Sequence, residues 1–212
     1  MYLRYGDKEL NFLKERDAKL GDVIEKTGFI EREVDSDLFS SVLHHIIGQQ
    51  ISTKAQQTIW KRMCDAFHEI TPQTIAGAQK ESLQALGMSL RKAEYIQDFS
   101  RKILTKEFDI TKIPSMTDEE AIAALSALKG VGVWTAEMIL LFSLQRPDIL
   151  SFSDLGILRG MRMLYQYKHI DRALFETHRK RLSPYGSVAS LYYWEVASGK
   201  IPGFIDPAPK KK

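Results

Sequence analysis

The chain has 212 residues, 44% of them hydrophobic, with a formal net charge of +3 and a single cysteine. That length and apolar content suffice for a sizeable core in one domain or in two small subdomains. One cysteine, Cys64, excludes an internal disulfide framework and any four-cysteine zinc or iron–sulfur site. The charged N-terminus and the lack of an apolar run of about 18 residues predict a protein of the cytoplasm (nucleoid) or nucleus, neither secreted nor membrane-bound.

A charge of +3 permits contact with a polyanion but does not by itself indicate one. The terminal stretch PAPKKK is either a solvated end or a small nonspecific phosphate contact, and we assign it no function. The sequence contains no internal repeat and no low-complexity segment. Charge therefore does not decide the function.

Apolar residues recur at intervals of three and four along nearly the whole chain, which predicts an all-α fold of about nine helices beginning by about residue 7. In SDLFSSVLHHIIGQQIS, Ser36 is the predicted cap of a helix that Gly48 ends. The inner face of this helix is apolar: Phe39, Val42, Leu43, Ile46 and Ile47. Gln49 and Gln50 follow in a tight turn.

Capping residues mark further helices in the middle of the chain. Ser52 is one predicted cap, and Thr71 followed by a proline is another. The segment MSLRKAEYIQDFSRKIL places four apolar residues on one helical face: Leu90, Ala93, Ile96 and Ile103. Thr117 and Glu120 then form a capping box that opens a helix to Leu128.

Two glycines one residue apart follow this helix, in LKGVGVWTAEMILLFSLQRPDILSFSD, residues 128–154. Gly130 and Gly132 predict a sharp turn into a helix that starts near Val133, with backbone N–H groups exposed at the turn. Such a turn either binds a phosphate, aided by the helix dipole, or simply joins two helices with a glycine end cap. The hairpin alone does not decide between these two interpretations.

The helix after the hairpin is apolar on nearly every side, which predicts a buried central helix. A proline-containing loop then leads to Asp154, directly before another helix start. A carboxylate there caps the helix, which is worth about 1 kcal/mol, and the helix dipole keeps it ionised. Capping is therefore compatible with a catalytic role for the anion.

Three further helices are predicted after Asp154, in LGILRGMRMLY, in DRALFETHRKRL and at the C-terminus. Ser183 is the predicted cap of the last helix, with Pro184 in its first turn and Gly199 at its end. No strand pattern appears between them.

The order of these elements resembles the helix-hairpin-helix superfamily of DNA glycosylases: a helix, an L-x-G-V-G hairpin, a buried helix, a proline-containing loop and an acid. Two other stretches agree with this resemblance. IIGQQIS, residues 46–52, resembles the family's DNA-inserting loop, and LSPYGSVASLYYW, residues 182–194, resembles the C-terminal helix of its 3-methyladenine DNA glycosylase II branch. The resemblance covers residues 36–200 and implies the compact form, without the N-terminal β-rich domain of larger members.

The resemblance implies two helical subdomains within residues 1–212. Residues 36–147, with the hairpin at 128–133, form one subdomain, and residues 1–35 with 148–212 form the other. The helix-hairpin-helix motif and Asp154 are then expected on the two walls of a cleft that holds the active site.

The resemblance also implies the reaction, which is hydrolysis of the N-glycosidic bond of alkylated purines such as 3-methyladenine and 7-methylguanine in base excision repair. Strand-cleaving members carry a Schiff-base lysine where this chain has Trp134, so an abasic site without strand cleavage is expected. Asp154 is the implied catalytic carboxylate, which stabilises positive charge on the sugar. Whether it also deprotonates the attacking water stays open.

Family positions imply the remaining site residues. The base pocket is expected to contain Trp134, Met138, Tyr193 and Trp194, and Trp194 is equally well explained as a core residue. The DNA backbone is expected at Lys129, Gly130, Val131 and Gly132. Gln49 and Gln50 are expected to form the wedge that fills the gap left by a flipped nucleotide.

No metal is assigned, because His44 and His45 face different sides of their helix, and no cofactor is implied beyond a possible monovalent cation at the hairpin. The expected partner is double-stranded DNA with damaged bases, bound by a monomer. Other interpretations stay open: a non-catalytic helix-hairpin-helix DNA-binding module, an all-α interaction protein, or a monofunctional glycosylase for deaminated or oxidised bases.

Overall fold

The computed structural model describes residues 1–208, so the lysines of the PAPKKK stretch lie outside the described residues. The described residues form α-helices, one 3₁₀ helix (Ile110–Ser115) and no strand, apart from an isolated bridge between Tyr2 and Glu33. The prediction of an all-α fold is confirmed. None of the helices in residues 1–208 is long and apolar enough to cross a membrane.

The α-helices are α1 (Asp7–Arg16), α2 (Ala18–Thr27), α3 (Leu38–Gly48), α4 (Thr53–Phe67), α5 (Pro72–Gly77), α6 (Lys80–Ala85), α7 (Leu90–Leu104), α8 (Asp118–Ser126), α9 (Val133–Phe142), α10 (Leu155–Tyr165), α11 (Arg172–Leu182) and α12 (Gly186–Ala197). The predicted number of about nine is too low. Helices α5 and α6 have six residues each, which is too short to show a clear apolar period.

The helices form two compact units. Unit 1 comprises Met1–Val34 and the described residues from Gln145 onward, and unit 2 comprises Asp35–Leu144. Asp35 therefore belongs to unit 2 and residues 145–147 to unit 1, whereas the sequence predicts Asp35 with the chain termini and residues 145–147 in the middle subdomain. The backbone explains the difference, because the carbonyl of Pro147 accepts a hydrogen bond of 3.0 Å from the N–H of Ser187 in α12.

In unit 2, α3 packs against α4, α7 and α9, and every residue of its predicted apolar face is buried. Its cap is Asp37 rather than Ser36, because the Asp37 carboxylate accepts from the N–H of Ser40 at 2.9 Å. The predicted caps of α4, α5 and α8 are confirmed. On α7, Ala93 and Ile96 are buried as predicted, but Leu90 is exposed in the first turn.

In unit 1, α10 packs closely along α12. A Cβ on Gly160 would lie 2.1 Å from the backbone oxygen of Tyr193, so only glycine permits this approach. Helix α12 begins at Gly186 and not after Ser183, which corrects the predicted start. The Ser183 hydroxyl donates to the Asp148 carboxylate at 2.6 Å instead of capping the helix.

A buried polar cluster joins the helices of unit 1. Asp17 caps α2 and accepts hydrogen bonds from the N–H of Leu20 at 3.0 Å and from the Tyr165 hydroxyl at 2.7 Å. Arg181 forms an ion pair with the same carboxylate at 2.6 Å. The Tyr165 hydroxyl also lies 2.9 Å from that of Tyr193, and burial raises the pKa of both tyrosines. Every polar group in this cluster has a partner, as burial requires.

His178 of α11 lies beside this cluster and is itself buried. Burial, reinforced by the charge of Arg181 and opposed by Asp17, lowers the pKa of His178 to about 4. Its ring also packs on Tyr165 and lies 3.4 Å from the Tyr167 hydroxyl. The folded protein therefore holds this imidazole neutral at pH values where it is ordinarily half protonated.

This pKa predicts acid sensitivity. The unfolded chain, with the ordinary pKa of 6.5, binds more protons than the folded chain between about pH 4 and 6.5, so stability falls as the pH drops through that window. We measure the thermal unfolding midpoint at pH 7 and at pH 5. We expect the midpoint to fall less between these pH values in His178→Gln than in the wild type. An identical pH dependence in both proteins would contradict this assignment.

Candidate active site

The hairpin between α8 and α9 is built around a glycine that no other residue can replace without strain. Gly130 has φ +81°, and a Cβ there would lie 2.2 Å from Cδ2 of Tyr95. Helix α8 ends at Ser126, two residues before the predicted Leu128, and the N–H of Val131 closes the turn on the Leu128 carbonyl at 3.1 Å. The sequence thus correctly predicts a tight glycine turn.

Gly132 is the N-cap of α9, which starts at Val133 as predicted. A Cβ at Gly132 would have no atom within 4 Å, and no side chain caps the helix at this residue. Backbone N–H groups at such a helix start attract anions through the helix dipole. A phosphate contact at this turn stays a prediction.

Lys129 in this hairpin already has a partner in unit 2. Its ammonium lies 3.0 Å from the Asp98 carboxylate, which Lys102 approaches at 3.3 Å. Burial raises the pKa of Asp98, but the hydrogen bonds from Lys129 and Lys102 outweigh it and leave the pKa below its usual value. Because 64% of the Lys129 side chain is exposed, the pair is a weak surface interaction.

Helix α9 is buried along most of its length, as predicted, but its first two residues are exposed. Val133 is 51% exposed and Trp134 is 42% exposed. Met138, one turn further, is only 3% exposed. Of the two α9 residues predicted to contact a base, Trp134 therefore presents an accessible surface and Met138 belongs to the core.

The two glutamines that the sequence predicts as a wedge have different environments. The Gln49 amide donates to the Gly130 carbonyl at 2.7 Å, within unit 2. Gln50 is exposed and adopts φ +57°, in the left-handed region. Only Gln50 is therefore presented to solvent as a wedge would be.

In unit 1, Asp154 is the N-cap of α10, as predicted. Its Oδ1 accepts from the N–H of Ile157 at 2.8 Å and from Nε1 of Trp194 at 3.1 Å, and the residue is only 6% exposed. A Cβ on Gly156 would lie 2.9 Å from Cδ1 of Trp194 and 3.1 Å from Asp154 Oδ1. Gly156 therefore permits the indole to reach the carboxylate.

The loop before Asp154 is attached to the start of α12. The Ser187 hydroxyl accepts from the N–H of Ile149 at 2.9 Å, and the Ser190 hydroxyl donates to the Ile149 carbonyl at 3.0 Å. Asp148 accepts from the N–H of Gly186 at 3.0 Å. Sequence reasoning missed these contacts, although the serines of LSPYGSVASLYYW were a visible sign of polar positions in an otherwise apolar helix.

The aromatic residues of α12 do not all have the predicted role. Tyr193 is fully buried and its hydroxyl contacts Tyr165, so it packs inside unit 1 and presents no accessible surface. Trp194 is half-buried and donates to Asp154. Its indole is thus partly buried and bonded to the predicted catalytic group, and a contact with a base stays a prediction.

Within residues 1–208, no cluster of three or more His, Cys, Asp or Glu side chains is arranged to hold a metal ion. His45 contacts the backbone carbonyl of Ser41 at 2.8 Å, and His44 packs against Trp60 with ring centroids 5.0 Å apart. The two histidines therefore serve helix packing.

Comparison of the sequence with known proteins identifies relatives among DNA repair proteins. The model of the HhH-GPD superfamily of base excision DNA repair proteins matches residues 43–184. A putative DNA-3-methyladenine glycosylase of Bacillus subtilis is 31% identical over 76% of this chain and 59% of its own length. DNA-3-methyladenine glycosylase 1 of Schizosaccharomyces pombe is 28% identical over 82% of this chain and 78% of its own length.

Solved structures give the same result. The crystal structure of a DNA-3-methyladenine glycosidase from Bacillus halodurans is similar with a TM-score of 0.81 and 32% identity, over 93% of this chain and 92% of that one. A Schizosaccharomyces pombe 3-methyladenine DNA glycosylase in complex with abasic DNA shares the fold, with a TM-score of 0.79 and 24% identity over 92% of this chain and 98% of that one. The chain belongs to the HhH-GPD superfamily of base excision DNA repair proteins.

Proposed function

We propose that this protein is a monofunctional DNA glycosylase that hydrolyses the N-glycosidic bond of alkylated purines of the 3-methyladenine and 7-methylguanine type. Its similarity to proteins named DNA-3-methyladenine glycosylase supports this substrate class. The observation that carries the proposal is the Asp154 carboxylate, which is bound by two donors through the same oxygen.

The proposed reaction breaks the bond between C1′ of the sugar and the base nitrogen. The bonding electron pair leaves with the base and neutralises the positive charge of the alkylated ring. Charge then develops on the sugar, so a fixed carboxylate stabilises the transition state more than the ground state. Water bonds to C1′ and loses a proton, which leaves an abasic site. Asp154 supplies the carboxylate, and water is the only co-reactant.

Trp134 supports both the monofunctional outcome and the substrate class. An indole has no amine to form a Schiff base with the sugar, so we expect the DNA strand to stay intact. An exposed indole also attracts a cationic ring by about 0.5 to 2 kcal/mol through cation–π contact. A positively charged alkylpurine is therefore favoured over a neutral base.

DNA binding in this proposal uses unit 2. The hairpin residues Gly130–Gly132 contact a phosphate through backbone N–H groups, and Gln50 enters the duplex when the damaged nucleotide leaves it. The Schizosaccharomyces pombe structure is a complex with abasic DNA, which supports DNA as the partner. That the protein binds DNA as a monomer remains a prediction. A monovalent cation at the hairpin carbonyls also remains a prediction.

Asp154→Asn tests the proposed function. The amide keeps the side-chain size but loses the negative charge, so we expect release of free base from methylated duplex DNA to fall about a hundredfold or more. DNA affinity, measured in parallel by fluorescence anisotropy, is expected to change little. Wild-type protein that binds DNA but releases no alkylpurine would instead favour the non-catalytic module.

Trp134→Ala tests the cation preference, with Trp134→Phe as the matched control. We expect Ala to lose about tenfold in kcat/KM on a cationic 7-methylguanine lesion and less on neutral hypoxanthine, because only the cation gains from the ring face. Phe should retain part of the preference. Equal losses on both lesions would remove the cation–π explanation and favour a neutral-base glycosylase.

Gly156→Ala tests whether the position of the Asp154 carboxylate matters. The added methyl group displaces either the indole or the carboxylate, so we expect kcat to fall about tenfold or more. Gly77→Ala, which adds a methyl group with no atom within 4 Å, is the matched control. Trp194→Phe, which loses the N–H donor, should reduce kcat as well. Normal kcat in both Gly156→Ala and Trp194→Phe would show that the hydrogen bond is dispensable.

A further inference from the structure

The turn between α3 and α4, residues 48–52, is held by side chains from other parts of unit 2. Lys92, in the first turn of α7, donates from Nζ to the carbonyls of Ile47 at 2.8 Å and of Gln49 at 2.6 Å. Carbonyls at the C-terminal end of a helix lack intrahelical partners and carry partial negative charge. A lysine ammonium there satisfies two of them with charge-assisted hydrogen bonds.

The side chain of Gln49 fixes the turn from a second direction. Its amide donates to the Gly130 carbonyl at 2.7 Å and lies 3.4 Å from the Thr135 hydroxyl. Gly130 is the hairpin glycine with a positive φ, and Thr135 is in the first turn of α9. The turn after α3 and the hairpin are therefore joined by a direct hydrogen bond between positions 81 residues apart in sequence.

These contacts determine where Gln50 points. Gln50 follows the peptide group whose oxygen Lys92 binds, and its φ of +57° is a left-handed conformation that costs a non-glycine residue about 1 kcal/mol. Rotating that peptide group to relax Gln50 would break the hydrogen bond to Lys92. The conformation is thus imposed by its surroundings and is not a free choice of the turn.

A third contact holds the start of the turn. The Gln56 amide of α4 donates to the His44 carbonyl at 2.9 Å, and its side chain lies where a Cβ on Gly48 would be, 2.4 Å from Nε2. Gly48 therefore leaves room for the Gln56 amide. Lys92, Gln49 and Gln56 together make a rigid base for one exposed side chain.

We propose that Lys92 and Gln49 are positioning residues for base flipping, which hold Gln50 as a preformed wedge rigidly connected to the phosphate-binding hairpin. This inference rests on the proposed function. A turn whose backbone is already ordered before DNA arrives loses less conformational entropy when Gln50 enters the duplex. The connection through Gln49 also fixes the spacing between the wedge and the backbone contact.

The test uses Lys92→Met, which keeps the aliphatic stem but removes the donor, and Gln49→Glu, whose carboxylate repels the Gly130 carbonyl. Each is assayed on the same alkylated base in a fully paired duplex and in a one-nucleotide bulge, where the base is already poorly stacked. We expect about tenfold slower release from the duplex and a change of less than about twofold from the bulge. Lys92→Arg, which retains donors for both carbonyls, should restore most of the duplex activity.

Lys80→Met is the matched control, because it removes one positive charge from an exposed ion pair with Glu94 without touching the turn. A double-mutant cycle with Gln50→Ala tests separately whether Lys92 acts through Gln50. If Lys92 acts only through Gln50, the double variant Lys92→Met with Gln50→Ala should be no slower than Gln50→Ala alone. Fully additive losses would overturn the proposal, as would equal losses from duplex and bulge.

A binding measurement keeps this inference separate from the proposed chemistry. A duplex with an abasic site opposite 2-aminopurine should brighten when the wild-type wedge displaces the fluorescent base, and Lys92→Met should bind with less brightening. Brightening that Lys92→Met and Gln49→Glu leave unchanged would contradict the positioning role even if no base is ever released. Absence of base release with normal brightening would instead remove the proposed function and leave the wedge intact.

Discussion

The interaction on which the proposed chemistry depends is the pair of hydrogen bonds that fixes Oδ1 of Asp154, from the N–H of Ile157 and the indole of Trp194. Several residues of α10 and α12 support it. Gly156 makes room for the indole, Gly160 lets α10 and α12 approach, and the serines at the start of α12 hold the loop that leads to Asp154. A carboxylate held this way needs little reorganisation when positive charge develops beside it, which is the basis of electrostatic preorganisation.

Unit 2 also holds a few groups in fixed positions, and these include backbone groups of the hairpin where unit 1 has a carboxylate. Gly130 allows a turn that Tyr95 packs against, and that turn is connected through Gln49 to the exposed Gln50. Rigid presentation suits a protein that must remove one base from a stacked duplex, because ordering costs are met during folding and not during binding. Both units thus use the fold to fix a few groups in place before substrate arrives.

Many local features of the chain were predictable from sequence, although the predicted caps at Ser36 and Ser183 were wrong, and long-range partners were not predictable. The cap at Asp154, the helix start at Val133 and the capping box at Thr117 follow from residues a few positions apart, and all are present. The pairing of Lys129 with Asp98 and the burial of Tyr193 depend on neighbours that only the folded chain brings near. Short range order is encoded locally, whereas side-chain partners are set by tertiary packing.

Stabilisation of positive charge on the sugar by Asp154 is tested most directly with duplexes that carry a sugar analogue at the lesion position. The affinity is measured for a cationic pyrrolidine and for a neutral tetrahydrofuran. If the fixed carboxylate of Asp154 stabilises positive charge on the sugar, the wild type should bind the cationic analogue about a hundredfold or more tightly than the neutral one, and Asp154→Asn should lose that preference. Equal affinity of the wild type for both analogues, or a preference that survives in Asp154→Asn, would contradict the account.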